Sequence, residues 1–188
     1  MRVGETRELD LMKQIKCFGL GGQGVVTGAK LLAEAVVMQG QYAQTTPAYG
    51  HERRGAPVSA DVFTADQPIK VKCFVFEPDV VVLFGPGVLS HGVDVTKGAT
   101  KDTLFIVNAV DPKTLPISSA NIYAVDALGI SLAETGNDVP NAAMLGALAK
   151  AGLVDIDTVA DTIERKFGSK GAANAKAARR AYAETRRY

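Results

Sequence analysis

The chain alternates between short runs of apolar residues and longer segments whose apolar residues recur with helical spacing. A short apolar run between turn residues is typical of a buried strand, whereas recurrence every three or four residues indicates a helix. The predicted strands are Lys13–Phe18, Tyr42–Thr46, Val80–Phe84, Leu104–Val107 and Ile122–Val125. The predicted helices are Val25–Gln39, Asp126 through Glu134, Ala142–Ala151 with Asn141 as N-cap, Ile156–Phe167 and Ala172–Arg186. Strands that alternate with helices predict an α/β fold, a Rossmann-like doubly wound and mostly parallel sheet with C-terminal helices.

A second pattern interrupts this alternation. Val58–Phe63 and Ile69–Phe76 each alternate apolar with polar positions, and Asp66–Pro68 between them has the composition of a turn. Two alternating segments joined by a short turn predict an antiparallel β-hairpin. We therefore expect an inserted hairpin made of these two segments.

The length of 188 residues suits one domain. The expected division is a polar leader over 1–12, one domain over 13–168 and a basic C-terminal helix over 169–188. Hydrophobic residues make up 47% of the chain and charged residues 22%, as in an ordinary globular protein. No apolar run is long enough to cross a bilayer and the N-terminus has no apolar signal core, so we expect a cytoplasmic protein without a membrane span.

Positive charge is concentrated at the C-terminal end. The net charge is only +1, yet residues 165–188 contain eight Lys or Arg and a single acidic residue, Glu184. Many alanines lie between these charges, which predicts a helix that docks on another surface or remains solvated. Nucleic-acid binding is disfavoured because the chain has no Trp and only 6% aromatic residues.

The titratable side chains predict no metal site and no catalytic set. Cys17 and Cys73 are the only cysteines, and an iron–sulfur cluster or a structural zinc site requires more closely spaced ligands. We interpret both as buried reduced thiols, and His91 as solvated. Any redox metal therefore belongs to another chain.

The sequence GLGGQG follows the first predicted strand and precedes the first predicted helix. Its glycines, at Gly19, Gly21 and Gly24, have the spacing of a dinucleotide-binding loop. Such a loop turns tightly, exposes backbone N–H groups to a diphosphate and packs the helix on the sheet. The predicted binding residues of this loop are Gly19, Gly21, Gly22, Gln23 and Gly24. A glycine turn that only packs strand on helix remains the alternative.

The region about 20 residues further along argues against NAD, because a carboxylate there normally binds the ribose. No carboxylate appears until Glu52, and Arg53 and Arg54 follow it directly. Two guanidinium groups suit a phosphate dianion, so both arginines are predicted to bind the ligand. Tyr49, His51 and Glu52 are predicted to lie at a subunit interface. An intersubunit salt bridge of Glu52 with the arginines stays an open alternative, as does a base-stacking role for Tyr49.

Four segments carry a resemblance to a known family: GLGGQGVVTGAKLLAEA, YAQTTPAYGHERRGAPVSADV, EPDVVVLFGPGVL and NAAMLGALAK. In this order they resemble the gamma subunit of the 2-oxoacid:acceptor oxidoreductases of the pyruvate:ferredoxin type, over about residues 15–167. The resemblance implies a subunit that is inactive alone. Its partners would be thiamine-binding alpha and beta subunits and a ferredoxin-like cluster subunit, which hold thiamine diphosphate, Mg and the 4Fe-4S clusters. It also implies that the glycine loop and the arginine pair contact coenzyme A.

Coenzyme A fits both motifs, because its diphosphate suits backbone N–H groups and its 3′-phosphate suits guanidinium groups. In this family a proline commonly stands where this chain has His51, so the role of His51 is undecided. Two other functions remain open: a self-contained NADP-dependent reductase, and a structural gamma subunit without ligand contacts. The sequence leaves open the 2-oxoacid, which is pyruvate, 2-oxoglutarate, or a branched-chain or aryl 2-oxoacid, and also the electron acceptor.

Overall fold

The computed structural model describes residues 12–49, 55–70 and 72–188, which fold around one seven-stranded sheet. Its strands are β1 (Lys13–Leu20), β2 (Tyr42–Tyr49), β3 (Pro57–Ala65), β4 (Val80–Leu83), β5 (Leu104–Asn108), β6 (Ile122–Val125) and β7 (Arg186–Arg187). Their order across the sheet is β2-β3-β1-β4-β5-β6-β7. The pairings among β1, β4, β5 and β6 are parallel, whereas β2, β3 and β7 pair antiparallel. The predicted α/β class with a mostly parallel centre is confirmed.

Within residues 12–49, 55–70 and 72–188, five α-helices accompany the sheet, and each predicted helix is present with its ends shifted by two residues at most. They are α1 (Val25–Met38), α2 (Ala127–Thr135), α3 (Asn141–Lys150), α4 (Ile156–Phe167) and α5 (Gly171–Glu184). Three short 3₁₀ turns lie at Pro86–His91, Pro112–Thr114 and Gly168–Lys170. None of the helices in the described ranges has the length and apolar character needed to cross a membrane.

The central strands are buried on both faces because successive side chains point to opposite sides. Val80 and Val82 belong to the core that also contains the buried residues of all five α-helices. Val81 and Leu83 face the opposite core, which is covered by the Pro86–His91 turn and by connecting segments. The continuous apolar runs of the sequence are explained by this two-sided burial.

The basic C-terminal helix packs within the same fold. Ala177 and Ala178 of α5 are completely buried, and α5 crosses α3 at Gly146. A Cβ at Gly146 would overlap the carbonyl oxygen of Ala178, so the glycine permits this close approach. Part of the positive charge is balanced nearby, since Lys176 and Arg180 lie 2.8 and 3.0 Å from the carboxylate of Glu134 in α2.

The predicted pairing of Val58–Phe63 with Ile69–Phe76 is wrong. The inserted hairpin is formed by β2 and β3, and the described part of 69–76 forms no strand. The alternation in 69–76 is real, because Val75 is buried while Phe74 and Phe76 are exposed. This segment lies on the face of the sheet, and side chains of the sheet bind its backbone where a neighbouring strand would otherwise do so. Val75 N–H donates to Asp61 Oδ2 (2.8 Å), and Lys16 Nζ donates to the Val75 carbonyl oxygen (2.7 Å).

Candidate functional site

The glycine loop lies where the sheet changes winding direction. From β1 the chain passes through α1 to the antiparallel strands on one side, whereas β4, β5 and β6 extend the sheet on the other. The connection that follows β1 contains α1 and lies on the helical face of the sheet. The connection that follows β4 lies on the opposite face. In open α/β sheets, ligands bind in the crevice outside the carboxyl ends of strands at such a point. The loops after β1 and β4 flank this crevice.

Gly21 is less open than the motif predicts. Its N–H donates to the carbonyl oxygen of Ala56 (2.8 Å), and its own carbonyl accepts from Gly55 N–H (3.0 Å). These bonds continue the β1–β3 pairing beyond the strand ends. Gly22 and Gly24 have φ values of 100° and 73°, a left-handed conformation that only glycine adopts without strain. The loop therefore keeps its glycines partly for backbone conformation.

Gln23 shapes the crevice from within. Its Oε1 accepts a hydrogen bond from Leu20 N–H (2.8 Å) and so closes the loop on itself. The side-chain amide lies against Gly19 and Gly85: a Cβ at Gly19 would come within 2.8 Å of Oε1, and one at Gly85 would overlap Nε2. Gly19 and Gly85 thus make room for Gln23 between the ends of β1 and β4.

Helix α1 begins at this loop without a side-chain cap. Gly24 is its N-cap residue, and Gly28 N–H donates the first intrahelical bond to the Gly24 carbonyl oxygen (2.7 Å). The N–H groups of the first helical turn have no intrahelical partner, and the aligned peptide dipoles place partial positive charge there. This end of α1 is suited to an anion.

Asn141 brings a second helix start to the same place. It is only 5% exposed, and its side chain packs on the backbone of Gly24, where a Cβ would lie 2.8 Å from Asn141 Nδ2. The prediction of Asn141 as N-cap is wrong: α3 begins at Asn141, Pro140 is the N-cap without a side-chain bond, and Asn141 Oδ1 accepts from Ala142 N–H (2.8 Å). The N-termini of α1 and α3 therefore converge beside the glycine loop.

Asn108 fixes the far wall of the crevice. It ends β5 with 7% exposure, and its Nδ2 donates to the carbonyl oxygen of Phe84 (2.8 Å). Its Oδ1 accepts from Leu128 N–H (3.3 Å) at the start of α2. The side-chain amide of Asn108 therefore joins the end of β4 to the start of α2. Neither Asn108 nor Asn141 was predicted as a site residue, and the only sequence signal is a polar residue placed at the end of an apolar run or the start of a helix.

The predicted charged loop falls largely outside the described residues. His51, Glu52, Arg53 and Arg54 belong to the interval 50–54, which the structure does not describe, so their roles stay predictions. The chain enters this interval from β2, whose Tyr49 pairs in register with Val58. It leaves at Gly55, which binds Gly21. The two ends of the interval therefore lie at the same edge of the sheet as the glycine loop.

Cys17 is inert in this setting. Burial raises the pKa of the Cys17 thiol to about 12, and the negative charge of Asp61 adds to the shift. A thiol with so high a pKa is neither a nucleophile nor a metal ligand near neutral pH. Within the part of the chain that the structure describes, no three His, Cys, Asp or Glu side chains come together as a metal site.

Comparison with known proteins shows the family. Residues 14–184 match the family model of pyruvate ferredoxin/flavodoxin oxidoreductase. A relative from Pyrococcus abyssi, the common gamma subunit of its pyruvate/ketoisovalerate oxidoreductases, is 44% identical over 181 residues, which cover 93% of this chain and 97% of the relative. The pyruvate synthase subunit PorC of Methanothermobacter marburgensis is 42% identical over 91% of this chain and 96% of its own length.

Solved structures agree with this match. The pyruvate oxidoreductase subunit PORC of Thermotoga maritima superposes with a TM-score of 0.80 at 33% identity, over 93% of this chain and 97% of that one. A 2-oxoglutarate:ferredoxin oxidoreductase from Magnetococcus marinus, solved with 2-oxoglutarate, coenzyme A and succinyl-CoA, gives a TM-score of 0.75. Its identity is 20% over 92% of this chain and 30% of that chain, so this likeness shows the fold alone.

Proposed function

Because this chain belongs to the pyruvate ferredoxin/flavodoxin oxidoreductase family and is a gamma subunit of a 2-oxoacid:ferredoxin oxidoreductase, we propose that it provides part of the coenzyme A site of the assembled enzyme. The enzyme would oxidatively decarboxylate a 2-oxoacid and deliver the acyl group to coenzyme A. We assign thiamine diphosphate, Mg and the 4Fe-4S clusters to partner chains, which are thiamine-binding alpha and beta subunits and a ferredoxin-like cluster subunit. This chain contributes binding and assembly rather than catalytic residues.

The observation that carries the proposal is the uncapped start of α1 next to the start of α3. The exposed Gly22 and the N-cap Gly24 lie at one positive helix end, and Asn141 brings the other against them. The diphosphate of coenzyme A would accept hydrogen bonds from the N–H groups of Gly22, Gly24 and the first turn of α1. Gly21 N–H is already bonded to Ala56, so it is left out of the donor set. Gly19 and Gln23 shape the loop.

Arg53 and Arg54 are assigned to the 3′-phosphate. Gly55, the next residue, binds Gly21 in the glycine loop, so both arginines are close in sequence to the proposed diphosphate site. Tyr49, His51 and Glu52 are assigned to the contact with the partner subunits. The M. marinus enzyme, which has the same fold over 92% of this chain, was solved with coenzyme A bound.

A purely structural gamma subunit is the second candidate. It is favoured by the bonded amide of Gly21 and by the Gln23 side chain inside the crevice, since both features serve packing without a ligand. A self-contained NADP reductase is not supported, because the relatives that match nearly the whole chain are oxidoreductase subunits.

A charge placed in the first turn of α1 separates the two candidates. Thr27 lies in that turn and is half-buried, so Thr27→Asp would set a carboxylate beside the proposed diphosphate, whereas Thr27→Asn has nearly the same shape without charge. In the assembled enzyme, we expect Thr27→Asp to raise the KM for coenzyme A by at least about tenfold and Thr27→Asn to leave it nearly unchanged.

Arg53→Ala tests the second half of the site. Hydrogen bonds to a charged phosphate contribute about 1.5–3 kcal/mol each, so we expect a KM for coenzyme A that is roughly ten to a hundred times higher. The KM for the 2-oxoacid serves as the internal control and should not change. An unchanged KM for coenzyme A in both Thr27→Asp and Arg53→Ala would establish the purely structural role instead.

A further inference from the structure

A groove of about 620 Å³ lies between α1, β2 and α4, and we call it the α1–β2–α4 groove. It is lined by the second half of α1, from Lys30 to Met38, and by Ala43 and Thr45 of β2. The coenzyme A site proposed above is at the opposite end of α1. The groove therefore belongs to a different surface.

The groove exposes large apolar side chains. Val37 is 52% exposed and Met38 is 44% exposed, although both are on a helix whose other side is part of the core. Met38 packs on α4, because its sulfur lies 3.2 Å from Thr162 Oγ1, whose proton is donated to the Thr158 carbonyl oxygen (2.8 Å), and the Arg165 guanidinium also contacts the sulfur. Exposed apolar side chains in a defined position are typical of an interaction surface.

Positive charge surrounds this apolar floor. Lys30, Arg165 and Lys166 line the groove, and Glu34 is the one carboxylate among the described residues that line it. Three cations and one anion leave a net charge of +2 in the groove. Lys166 Nζ is 3.9 Å from Glu34 Oε1, and both side chains are about half exposed, so this pair is weak and exchangeable.

Among the strands of the described residues, β2 is the outer edge of the sheet beside the groove. Its sequence, YAQTTPAY, contains no charge over eight residues. Proteins usually protect an edge strand with charges, prolines, bulges or a covering segment, because its free N–H and C=O groups pair readily with another strand, and in β2 a single proline, Pro47, serves this purpose. Pro47 has no N–H, so it is tolerated at a position whose backbone groups point away from β3. Thr45 and Ala43 are two and four residues before Pro47 in the same strand, so their N–H and C=O groups also point away from β3.

We propose that the α1–β2–α4 groove receives an extended acidic segment of another subunit of the oxidoreductase, which pairs with β2 as an added strand. Its carboxylates meet Lys30, Arg165 and Lys166, and an apolar side chain covers Val37 and Met38. A second copy of this chain is a poor occupant, because it would bring two cationic grooves together. The proposal rests on membership of a multi-subunit enzyme, not on the coenzyme A site.

Zero-length carbodiimide cross-linking of the assembled enzyme identifies the occupant. We expect Lys30 or Lys166 to be joined to an Asp or Glu of a different subunit. In the isolated chain, a cross-link between Glu34 and Lys166 is the positive control, and it should become several-fold weaker on assembly. An unchanged internal cross-link without an intersubunit one, or a link between two copies of this chain, would overturn the proposal.

Charge reversal measures the same contact. The double variant Lys30→Glu/Arg165→Glu should be retained by the other subunits roughly tenfold less than the unmodified chain at about 0.05 M salt, with a smaller difference at about 0.5 M. The matched control is Lys101→Glu/Lys113→Glu, two exposed lysines outside the groove. Thermal unfolding of each free chain verifies that it folds.

Two further measurements test the role of β2 and distinguish the α1–β2–α4 groove from the proposed coenzyme A site. Thr45→Pro removes an outward N–H and should weaken retention, whereas Thr45→Val, which keeps the N–H, should not. Enzyme that does assemble with the charge-reversed chain should keep its KM for coenzyme A. Equal retention of the charge-reversed chain and its control would refute the docking surface and leave the coenzyme A proposal standing.

Discussion

Replacing Asp61 with Ala is expected to destabilise the folded chain strongly, because this carboxylate holds a segment onto the sheet. Asp61 is 1% exposed and pairs in register with Lys16 across β3 and β1. Its Oδ2 accepts from Val75 N–H, and its Oδ1 is 3.2 Å from Lys16 Nζ. The Nζ–Oδ1 contact is an ion pair without hydrogen-bond alignment, and one of the three N–H groups of Lys16 donates to the Val75 carbonyl oxygen (2.7 Å).

The magnitude follows from what Asp61→Ala leaves behind. Val75 N–H loses a charged acceptor, a bond worth about 1.5–3 kcal/mol, and Lys16 loses its counter-charge. Breaking a fully buried pair costs about 3–5 kcal/mol, but the Lys16 side chain is 22% exposed and can recover water. We therefore expect a loss of about 3 kcal/mol in the free energy of unfolding, a large share of the roughly 5–15 kcal/mol typical of a domain.

Urea denaturation of the full chain, with hydrogen exchange at the Val75 amide, measures both parts of this effect. Asp61→Asn is the matched control, because its amide oxygen can still accept from Val75 while the charge is lost, so it should cost less than Asp61→Ala. The apolar pair Lys16→Met/Asp61→Leu should not recover the loss, because it leaves no charge unpaired but also removes the Lys16 bond to the Val75 carbonyl oxygen. A loss below about 1 kcal/mol for Asp61→Ala, with unchanged exchange at Val75, would refute the reasoning.

Three other perturbations have definite outcomes. Gly146→Ala should lower the denaturation midpoint, because the new Cβ meets the Ala178 backbone. The overpacking cost of about 1–3 kcal/mol exceeds the gain of up to about 1 kcal/mol in helix propensity. An unchanged midpoint would contradict the close crossing of α3 and α5. Cys17 should resist thiol reagents at about pH 8 in the native chain and react in denaturant, because its pKa of about 12 leaves roughly one thiolate in ten thousand. Since this pKa is raised above the unfolded value of about 8.5, the stability from the protonated thiol is complete below about pH 8.5 and is lost as the pH rises towards 12, which denaturation at rising pH would measure.

The elements of the fold could be predicted from the sequence because their signals are local. Continuous apolar runs identified the parallel strands, and helical spacing identified all five α-helices. The alternation of apolar and polar residues did not show which segment each predicted strand pairs with. Alternation in Ile69–Phe76 correctly indicated one buried side, but the segment is bound by the side chains of Lys16 and Asp61 rather than by a neighbouring strand. Period-two alternation reports burial on one side, and it does not report what satisfies the backbone.

The glycine loop could also be located from its spacing, whereas the residues around it could not. Gly24 touches Asn141, more than a hundred residues away in the chain, and Gly85 makes room for Gln23. Asn141 looks like an ordinary helix cap in sequence, and only the folded sheet brings it to the start of α1. Such contacts depend on the order of the strands, which no local pattern contains.

Packing alone already requires Gly19 and Gly24 of this loop and Gly28 of the helix that follows it. A Cβ at Gly19 would lie 2.7 Å from Val25 Cγ2, one at Gly24 would strike Asn141, and one at Gly28 would lie 2.7 Å from the Phe84 ring. The motif would therefore persist in a gamma subunit that binds nothing, so its presence is weak support for a ligand. The proposed coenzyme A site must be judged on groups that packing leaves unused. Those are the Gly22 amide, the first-turn amides of α1 and the guanidinium groups of Arg53 and Arg54, and for this reason charge at Thr27 and Arg53 is a sharper test than any glycine substitution.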